Sequence, residues 1–240
     1  MRLDKFLVLE KGIESREKAK KLIREGKVKV NEKICQECSY SIKENDKIEV
    51  IENLKFVSRG GEKLYFALKE FKISPKNKFC LDVGSSTGGF TDCLLKMGAK
   101  KVFALDVGKN QLHPSLRNNP KVVLIEQTDI RNFKTKRKFD LITVDVSFIS
   151  LKLIIEKIKE LLKKKGEVIL LFKPQFEVGK KYLKRGIVKD KEIIQKSLDN
   201  FLNFVEGLNF KIVKVFPSPV LGKKGNQEFF IHLKLKDLEK

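Results

Sequence analysis

The feature that most constrains the fold is an apolar strand that runs into a glycine-rich turn and then into a helix. The strand Phe79-Cys80-Leu81-Asp82-Val83 precedes the turn Gly84-Ser85-Ser86-Thr87-Gly88-Gly89, and an apolar stripe over 90–97 predicts the helix. Four further apolar runs predict buried strands, at 102–106, 122–125, 139–144 and 168–172. Strands that alternate with helical segments predict a mainly parallel sheet with helices on both faces.

The second half of the chain extends this pattern. Apolar stripes over 151–162 and 193–205 each predict an amphipathic helix, the first of which is stopped by Gly166. Alternating runs at 210–216 and 229–235 predict two closing strands. The whole segment is therefore predicted to form one α/β domain.

The N-terminal segment has a different pattern. Leu3, Phe6 and Leu7 have helical spacing, and Ser15 and Gly26 are suited to begin and end a second helix. Short alternating runs after Gly26 predict strands, so we expect a small α+β domain before the larger one. The predicted division into small domain, connector and large domain is 1–53, 54–60 and 61–240.

The chain carries a formal net charge of +21, with 52 Lys and Arg against 31 Asp and Glu. Such an excess favours a polyanionic partner, first nucleic acid and second an anionic membrane, although solubility of a Lys-rich chain is the plain alternative. Basic side chains in both predicted domains are candidates for contacts with RNA phosphates. These candidates are Arg2, Arg16, Lys20, Arg24, Lys27, Arg59, Lys180, Lys181, Lys184 and Arg185.

The sequence predicts neither a membrane span nor a metal site. No apolar run reaches the ~20 residues of a transmembrane helix, and the N-terminus lacks the apolar stretch of a signal peptide, so we expect a cytoplasmic protein. Cys35 and Cys38 form a Cys-x-x-Cys pair, but no second pair completes a zinc site, and His113 and His232 are far apart. We expect all four cysteines to be reduced.

The glycine-rich turn lies where open α/β sheets bind ligands, beyond the carboxyl ends of the strands. Asp106 ends the next strand, where a carboxylate can bind both hydroxyls of a ribose. The turn is neither a dinucleotide fingerprint nor a phosphate-binding loop, and Asp82 would repel a pyrophosphate but suit a sulfonium. The pattern favours S-adenosylmethionine (SAM) over a dinucleotide. The predicted cofactor-binding residues are Asp82, Gly84, Ser85, Ser86, Thr87, Gly88, Gly89, Phe90, Asp106, Val107, Asp129 and Asp145.

Polar residues also follow the fourth and fifth predicted strands. Asp145 begins the segment Asp-Val-Ser-Phe, and Lys173 begins Lys-Pro-Gln-Phe-Glu. Enzymes that methylate amino groups usually carry Asn/Asp-Pro-Pro-Tyr/Phe after the fourth strand, so the absence of this motif favours a hydroxyl acceptor. A ribose hydroxyl is a weak acid, and a lysine in a suitable environment can take its proton.

Two resemblances add to this interpretation. The chain is similar to the RNA-binding module first described in a small-subunit ribosomal protein at Arg2-Leu3-Asp4-Lys5-Phe6-Leu7, Ser15-Arg16-Glu17-Lys18-Ala19 and Gly26-Lys27-Val28. It resembles the TlyA family, once called hemolysin A, over nearly its whole length. The matching segments include Val57-Ser58-Arg59-Gly60-Gly61-Glu62-Lys63-Leu64, the glycine-rich turn, Lys173-Pro174-Gln175-Phe176-Glu177 and Gly225-Asn226-Gln227-Glu228-Phe229-Phe230.

The TlyA resemblance implies that the RNA-binding module is fused to an FtsJ-like methyltransferase domain with a Rossmann-like sheet. It implies SAM as cofactor, 2′-O-methylation of cytidine in ribosomal RNA, and ribosomal subunits as partner, with no obligate protein partner. The Lys-Asp-Lys-Glu tetrad of FtsJ-like enzymes falls on Lys63, Asp145, Lys173 and Glu228. We expect Lys173 to take the ribose proton and Lys63 to help hold the substrate oxygen. We expect Asp145 to position Lys173 and to lie near the sulfonium, and Glu228 to orient the lysines.

One departure and three rival functions accompany the resemblance. The family connector often reads Arg-x-Trp-Val, whereas this chain has Leu54-Lys55-Phe56-Val57, which puts a role of the connector in SAM binding in doubt.

The rival functions are a membrane-active hemolysin, a non-catalytic ribosome-binding or assembly factor, and a protein methyltransferase. The absence of an apolar span disfavours the first, the tetrad the second, and the RNA-binding module the third.

Overall fold

The computed structural model describes residues 1–13, 15–24, 26–50, 56–222 and 224–236. Its chain forms two compact units, Met1–Lys55 and Phe56–Lys240. Leu54 and Lys55 of the predicted connector lie outside the described residues. The backbone N–H of Val57 donates to the carboxylate of Asp92 at 2.9 Å, so the following part of that connector belongs to the second unit.

The first unit is a small α+β module. Its elements are α1 (Leu3–Leu9), α2 (Arg16–Arg24), β1 (Val28–Val30), β2 (Lys33–Ile34) and β3 (Ile48–Val50), and the antiparallel sheet has the order β2-β1-β3. The Ser15 hydroxyl accepts a hydrogen bond from the Lys18 N–H at 3.2 Å, as expected of a residue that caps α2. Buried Leu3, Leu7 and Ile23 form the core under the sheet.

The second unit is an open α/β sheet. Its helices are α3 (Arg59–Phe71), α4 (Gly89–Lys96), α5 (Pro114–Arg117), α6 (Ile155–Leu161), α7 (Pro174–Glu177) and α8 (Lys191–Gly207). Its strands are β4 (Phe79–Val83), β5 (Lys101–Leu105), β6 (Val122–Ile125), β7 (Phe139–Val144), β8 (Leu162–Phe172), β9 (Phe210–Pro217) and β10 (Phe229–Leu235). The strand order is β6-β5-β4-β7-β8-β10-β9, with the first five strands parallel and β10 antiparallel to both neighbours.

Alternating side chains of the strands build a core on each face of this sheet. Leu81 and Val83 of β4 belong to the core that contains α6 and α8 residues, whereas Cys80 packs with residues of α3 and α4. Helices therefore cover both faces, and the predicted α/β class with a preceding α+β domain is confirmed.

The helix predicted over 151–162 has different bounds in the structure. The helix predicted over 151–162 is a 3₁₀ turn (Leu151–Leu153) followed by α6, and β8 begins at Leu162 instead of Val168. Leu162 pairs with Phe139 of β7, so tertiary contacts extend the strand through a lysine-rich stretch. Gly166 lies within β8 and does not end a helix; an added Cβ there would lie 2.6 Å from the Leu162 side chain.

Candidate functional site

A cavity of about 740 Å³ opens at the carboxyl edge of the parallel strands. Its lining comes from the segments that follow β4, β5 and β7, together with the 3₁₀ turn Ile130–Asn132. This volume is within the usual range of small-molecule and cofactor sites, and the position is where open α/β sheets bind ligands.

Gly84 allows the turn after β4 to approach the segment after β7. Its φ is +82°, and an added Cβ would lie 2.6 Å from the Asp145 carbonyl oxygen. Its N–H donates to the Leu105 carbonyl at 2.8 Å, which fixes the turn against the end of β5. A side chain at this position would clash with the backbone after β7 and would be strained at this φ.

Asp106 is fixed by two backbone hydrogen bonds at the end of β5. Its carboxylate oxygens accept from the Ser86 N–H and from the Gly108 N–H, both at 2.7 Å. Each oxygen retains a lone pair for a ligand in the cavity that Asp106 lines. The carboxylate is therefore pre-oriented to accept hydrogen bonds from a pair of hydroxyl groups.

Asp129 forms the far wall of the cavity with Arg131. The guanidinium of Arg131 lies 2.6 Å from the Asp129 carboxylate. Hydrogen bonds from Arg131 hold the pKa of Asp129 below its usual value, although partial burial opposes this shift.

Asp82 does not line the cavity, contrary to the expectation that it faces a cationic ligand. It is fully buried, and its carboxylate oxygens lie 2.7 Å from the Thr91 hydroxyl and 3.1 Å from the Thr143 hydroxyl. Burial raises the pKa of Asp82 to about 7, although the two threonine hydrogen bonds favour the ionised form. Asp82 therefore ties α4 to the sheet beneath the glycine-rich turn.

The cofactor-binding residues predicted from sequence divide into two groups. The cavity lining contains Gly84, Ser86, Asp106, Val107, Asp129 and Asp145. The lining does not contain Asp82, Ser85, Thr87, Gly88, Gly89 or Phe90.

Packing explains why much of the second group lies elsewhere. Gly88 has φ of +96° and precedes α4, and an added Cβ would meet Leu112 at 2.7 Å. Gly89 lets α3 approach α4, since its Cβ would lie 2.8 Å from the Gly61 nitrogen. Phe90 is buried in the core and stacks with Phe230. These residues pack against the core side of the turn and do not line the cavity.

The four predicted tetrad residues form two ion pairs. Lys63 of α3 lies 2.6 Å from Glu228, and Lys173 lies 2.6 Å from Asp145. Lys173 Nζ also donates to the Ser147 hydroxyl at 3.1 Å. Both lysine side chains are largely buried, so neither pair is a freely solvated surface pair.

The sheet topology brings Glu228 to this edge. Phe229 of β10 pairs with Phe172 of β8 in antiparallel register, so the residue before β10 lies beside Lys173, which follows β8. The Gln175 amide, two residues after Lys173, contacts the other ion pair, because its Nε2 donates to Glu228 Oε1 at 3.4 Å. Asp145 Oδ1 is buried and faces the Lys173 ammonium, whereas the buried Gln175 Oε1 accepts no hydrogen bond within the described part of the chain.

Phe148 was not singled out in the sequence analysis, although it ends Asp-Val-Ser-Phe. Its side chain is 91% exposed and lines the cavity, and its φ of +65° is unusual for a bulky residue. Its ring lies 5.1 Å from that of Phe176, which lies 5.9 Å from Lys173 Nζ. An exposed aromatic ring held in a strained conformation beside the ion pairs is a candidate ligand contact.

Glu177 is a second residue that sequence reasoning did not single out. Its carboxylate accepts from the Ser150 hydroxyl at 2.6 Å and from the Leu151 N–H at 2.8 Å. It thereby connects α7, which directly follows Lys173, to the segment that lines the cavity after β7. Burial raises the pKa of Glu177, and these two hydrogen bonds oppose the rise.

In the first unit, the predicted RNA contacts surround the buried Asp4. Arg2 Nε and Arg16 Nε lie 3.1 and 2.9 Å from the Asp4 carboxylate, which orients both guanidinium groups while leaving them partly exposed. Burial opposes ionisation of Asp4, but its two arginine partners keep its pKa below the usual value. Lys20 pairs with Glu17 at 2.7 Å. Arg24 is exposed and Lys27 partly exposed.

In the second unit, the predicted RNA contacts are exposed. Arg59 begins α3, and Lys180 and Lys181 lie in the 3₁₀ turn Lys180–Tyr182 that follows α7. Lys184 and Arg185 lie in the turn after it. These positions leave all five cations free to contact solvent or an anionic partner.

Within the described ranges, no three or more His, Cys, Asp and Glu residues are grouped so that they could hold a metal ion. A separate search of the same ranges finds no helix with the length and apolarity needed to cross a membrane.

Known proteins share both units. The FtsJ-like methyltransferase family matches residues 56–235, and the S4 domain matches residues 1–48. Hemolysin A from Brachyspira hyodysenteriae is 45% identical over 97% of this chain and 99% of that protein. The 23S rRNA (cytidine-2'-O)-methyltransferase TlyA from Campylobacter jejuni is 50% identical over 74% of this chain and 70% of that protein. A solved structure from Streptococcus thermophilus, described as a hemolysin, has a TM-score of 0.74 at 36% identity, covering 99% of this chain and 89% of that chain.

Proposed function

Because this chain belongs to the FtsJ-like methyltransferase family, we propose that it methylates the 2′-hydroxyl of cytidine in ribosomal RNA, with SAM as methyl donor. The observation that carries the proposal is the presence of two largely buried lysine–carboxylate pairs, Lys63 with Glu228 and Lys173 with Asp145, of which Asp145 lines the cavity. The reaction belongs to the cytoplasm, where ribosomal RNA is found.

The cavity fits the cofactor by its donor and acceptor groups. Asp106 would accept hydrogen bonds from the two ribose hydroxyls, and Gly84 leaves room for the ligand against the backbone. Asp145 at the cavity wall provides negative charge for a sulfonium and an amino group. When bound, SAM supplies a methyl group that is activated by its positively charged sulfur.

Lys173 is the group that would handle the substrate proton. Its Nζ is held by Asp145 and Ser147, which both line the cavity, and lies 5.9 Å from the centre of the Phe176 ring. In its neutral form it would accept the proton that the 2′-hydroxyl gives up on methylation. Lys63, paired with Glu228, holds the substrate oxygen in place.

Phe148 would receive the target nucleotide. An exposed aromatic ring at the mouth of the cavity offers a stacking surface for a base that has left its helix, and such stacking contributes about 1–3 kcal/mol per base. The strained backbone at Phe148 keeps the ring at the mouth rather than in the core. RNA recognition by stacking of unpaired bases is common among RNA-binding proteins.

The decisive experiment measures transfer of tritium from labelled SAM to ribosomal subunits, followed by mapping of 2′-O-methylated nucleotides. We expect Lys173→Ala to reduce turnover by at least about a hundredfold while SAM affinity, measured by calorimetry, changes little. Lys163→Ala is the matched control, because Lys163 forms a 2.7 Å pair with Asp140 away from the cavity lining.

The alternative outcomes distinguish the rival functions. Ribosome binding without methyl transfer by the wild type would favour an assembly factor. Transfer to ribosomal protein instead of RNA would favour a protein methyltransferase. Full turnover by Lys173→Ala would refute the assignment of Lys173 alone and leave the reaction in place.

A further inference from the structure

A second pocket lies next to the cofactor cavity. It has a volume of about 310 Å³ and is lined by the 3₁₀ turn after β7, by the segment after α7 and by α8. Ser150 lines both the pocket and the cavity, so the two sites are separated by this short segment. The reaction proposed above does not use this pocket.

The lining of the pocket is polar and carries positive charge. Lys152 and Lys196 both line it. The charge of Lys152 acts on the Glu177 carboxylate, where it lowers the pKa, and its ammonium lies 5.3 Å from the centre of the Phe204 ring. Glu177 also lines it, but both of its oxygens are engaged by Ser150 and Leu151. The two ammonium groups therefore favour an anionic ligand group such as a phosphate.

The pocket also contains an aromatic ring. Tyr182 is 40% exposed, and the ammonium of Lys181 lies 5.0 Å from the centre of its ring. Ser197 and Asn200 of α8 add a hydroxyl and an amide that can bond to a base edge or a sugar. An aromatic ring, ammonium groups and polar side chains form the combination that binds single-stranded nucleic acid.

We propose that this pocket binds a nucleotide of the RNA strand that flanks the methylated one. Tyr182 stacks on the flanking base, and Lys196 and Lys152 contact its phosphate. Because Ser150 lines both sites, the strand passes from the cavity to the pocket over this residue. The inference rests on the proposed function and adds a subsite that makes substrate choice depend on a neighbouring nucleotide.

Variants of the full-length protein test the subsite. Tyr182→Ala and Lys196→Glu remove the stacking ring and reverse one charge. Tyr182→Phe keeps the ring, and Lys191→Glu makes the same charge change on another face of α8, outside the pocket lining. Binding of fluorescein-labelled single-stranded oligocytidylate is measured by anisotropy, SAM binding by calorimetry, and methyl transfer by initial rates on ribosomal subunits.

We expect Tyr182→Ala and Lys196→Glu to weaken oligocytidylate binding by about tenfold and to raise the KM for ribosomal subunits. The two control variants should bind like the wild type. SAM affinity and turnover at saturating RNA should remain within about twofold of the wild type in all four variants, since the pocket does not hold the reacting groups.

Different experimental outcomes would contradict the subsite and the proposed methylation reaction. If methylation proceeds and Tyr182→Ala and Lys196→Glu match their controls in RNA affinity and KM, the subsite is wrong and the function stands. If the variants weaken oligocytidylate binding but the wild type transfers no methyl group, the subsite stands and the proposed reaction falls. A loss of turnover at saturating RNA without a change in RNA affinity would also overturn the subsite.

Discussion

At the scale of single residues, the Asp82 carboxyl lies between two threonine hydroxyls without exposed surface, and burial raises its pKa to about 7 from 3.8. The unfolded chain therefore releases this proton at a lower pH than the folded protein does. In the window between these values the unfolded state binds fewer protons, so the free energy of unfolding decreases as pH rises.

Asp82→Asn should remove this pH dependence. The amide has similar shape and can both donate to and accept from threonine hydroxyls, but it does not ionise. Urea unfolding at about pH 5 and about pH 8 should show a loss of stability with pH in the wild type that is much smaller in the variant. Asp199→Asn, at an exposed position on α8, is the control. An equal pH dependence in wild type and Asp82→Asn would contradict the prediction.

Gln175 supplies a neutral amide that donates to Glu228, the partner of Lys63. A carboxylate in its place would lie against the Glu228 carboxylate, and the repulsion between like charges would disturb the Lys63–Glu228 pair. Gln175→Glu should therefore lower turnover by about tenfold, measured as tritium transfer from labelled SAM. Gln195→Glu, exposed on α8, should leave turnover unchanged, and wild-type turnover in Gln175→Glu would exclude this role of the amide.

Single residues also show how far sequence reasoning reaches. Asp106 could be predicted from its place at the end of a strand, and it lines the cavity. Asp82 is also near a strand end, but β4 is buried on both faces, so its apolar pattern does not reveal which side chain points towards the ligand. Phe148 could not be predicted as a site residue, because its exposure depends on a backbone angle that no sequence pattern specifies.

At the scale of secondary-structure elements, the Glu177 carboxylate supplies the hydrogen bonds between α7 and the segment after β7, next to the ring contact of Phe176 with Phe148. Glu177 bonds to Ser150 and Leu151, and this segment lines the cofactor cavity. Two hydrogen bonds to a charged group that is partly buried are each worth about 1.5–3 kcal/mol. The position of the cavity wall is thus linked to the helix that follows Lys173.

Glu177→Ala should weaken SAM binding by about tenfold, because the segment after β7 loses its two contacts with α7. Glu177→Gln should recover part of the affinity, since its amide oxygen can still accept from the Leu151 N–H. Calorimetry with SAM is the measurement, and Glu156→Ala on the exposed side of α6 is the control. Wild-type affinity in Glu177→Ala would show that the segment keeps its position without this tie.

The start of β8 shows why element boundaries were harder to predict than elements. Lysines 163–165 suit a helix as well as a solvated strand, and the apolar stripe before them continues smoothly. The strand state follows from the pairing of Leu162 with Phe139, which are distant in sequence. Such pairing is a tertiary contact, and local patterns do not contain it.

At the scale of the whole molecule, the net charge of +21 is the property that should control RNA binding. A protein that contacts several phosphates releases bound counterions, so its affinity decreases steeply with salt. We expect affinity for ribosomal RNA to fall at least about a hundredfold between about 50 and about 200 mM salt, whereas SAM affinity changes little. Anisotropy and calorimetry over the same salt series test this. Parallel salt dependences for the two ligands would contradict it.

The division into two units could be predicted from the sequence because the spacing of apolar residues changes along the chain. Helices followed by very short strands precede the long strand–helix alternation. The partnership of Lys63 and Glu228 was predicted only through family resemblance, since nothing in either local segment indicates the other. The sheet order, with β10 inserted between β8 and β9, provides the physical reason for that contact.

The position of β10 in the chain also determines the order in which the site residues are synthesised. Lys63 and Glu228 are 165 positions apart, and the strand that follows Glu228 is the last strand of the described chain. A nascent chain emerges from its N-terminus onwards, so the cavity residues after β4, β5 and β7 are synthesised well before Glu228. The site can therefore be completed only after Glu228 has been synthesised, and a product truncated before Glu228 would lack a member of the site even with its cavity residues present.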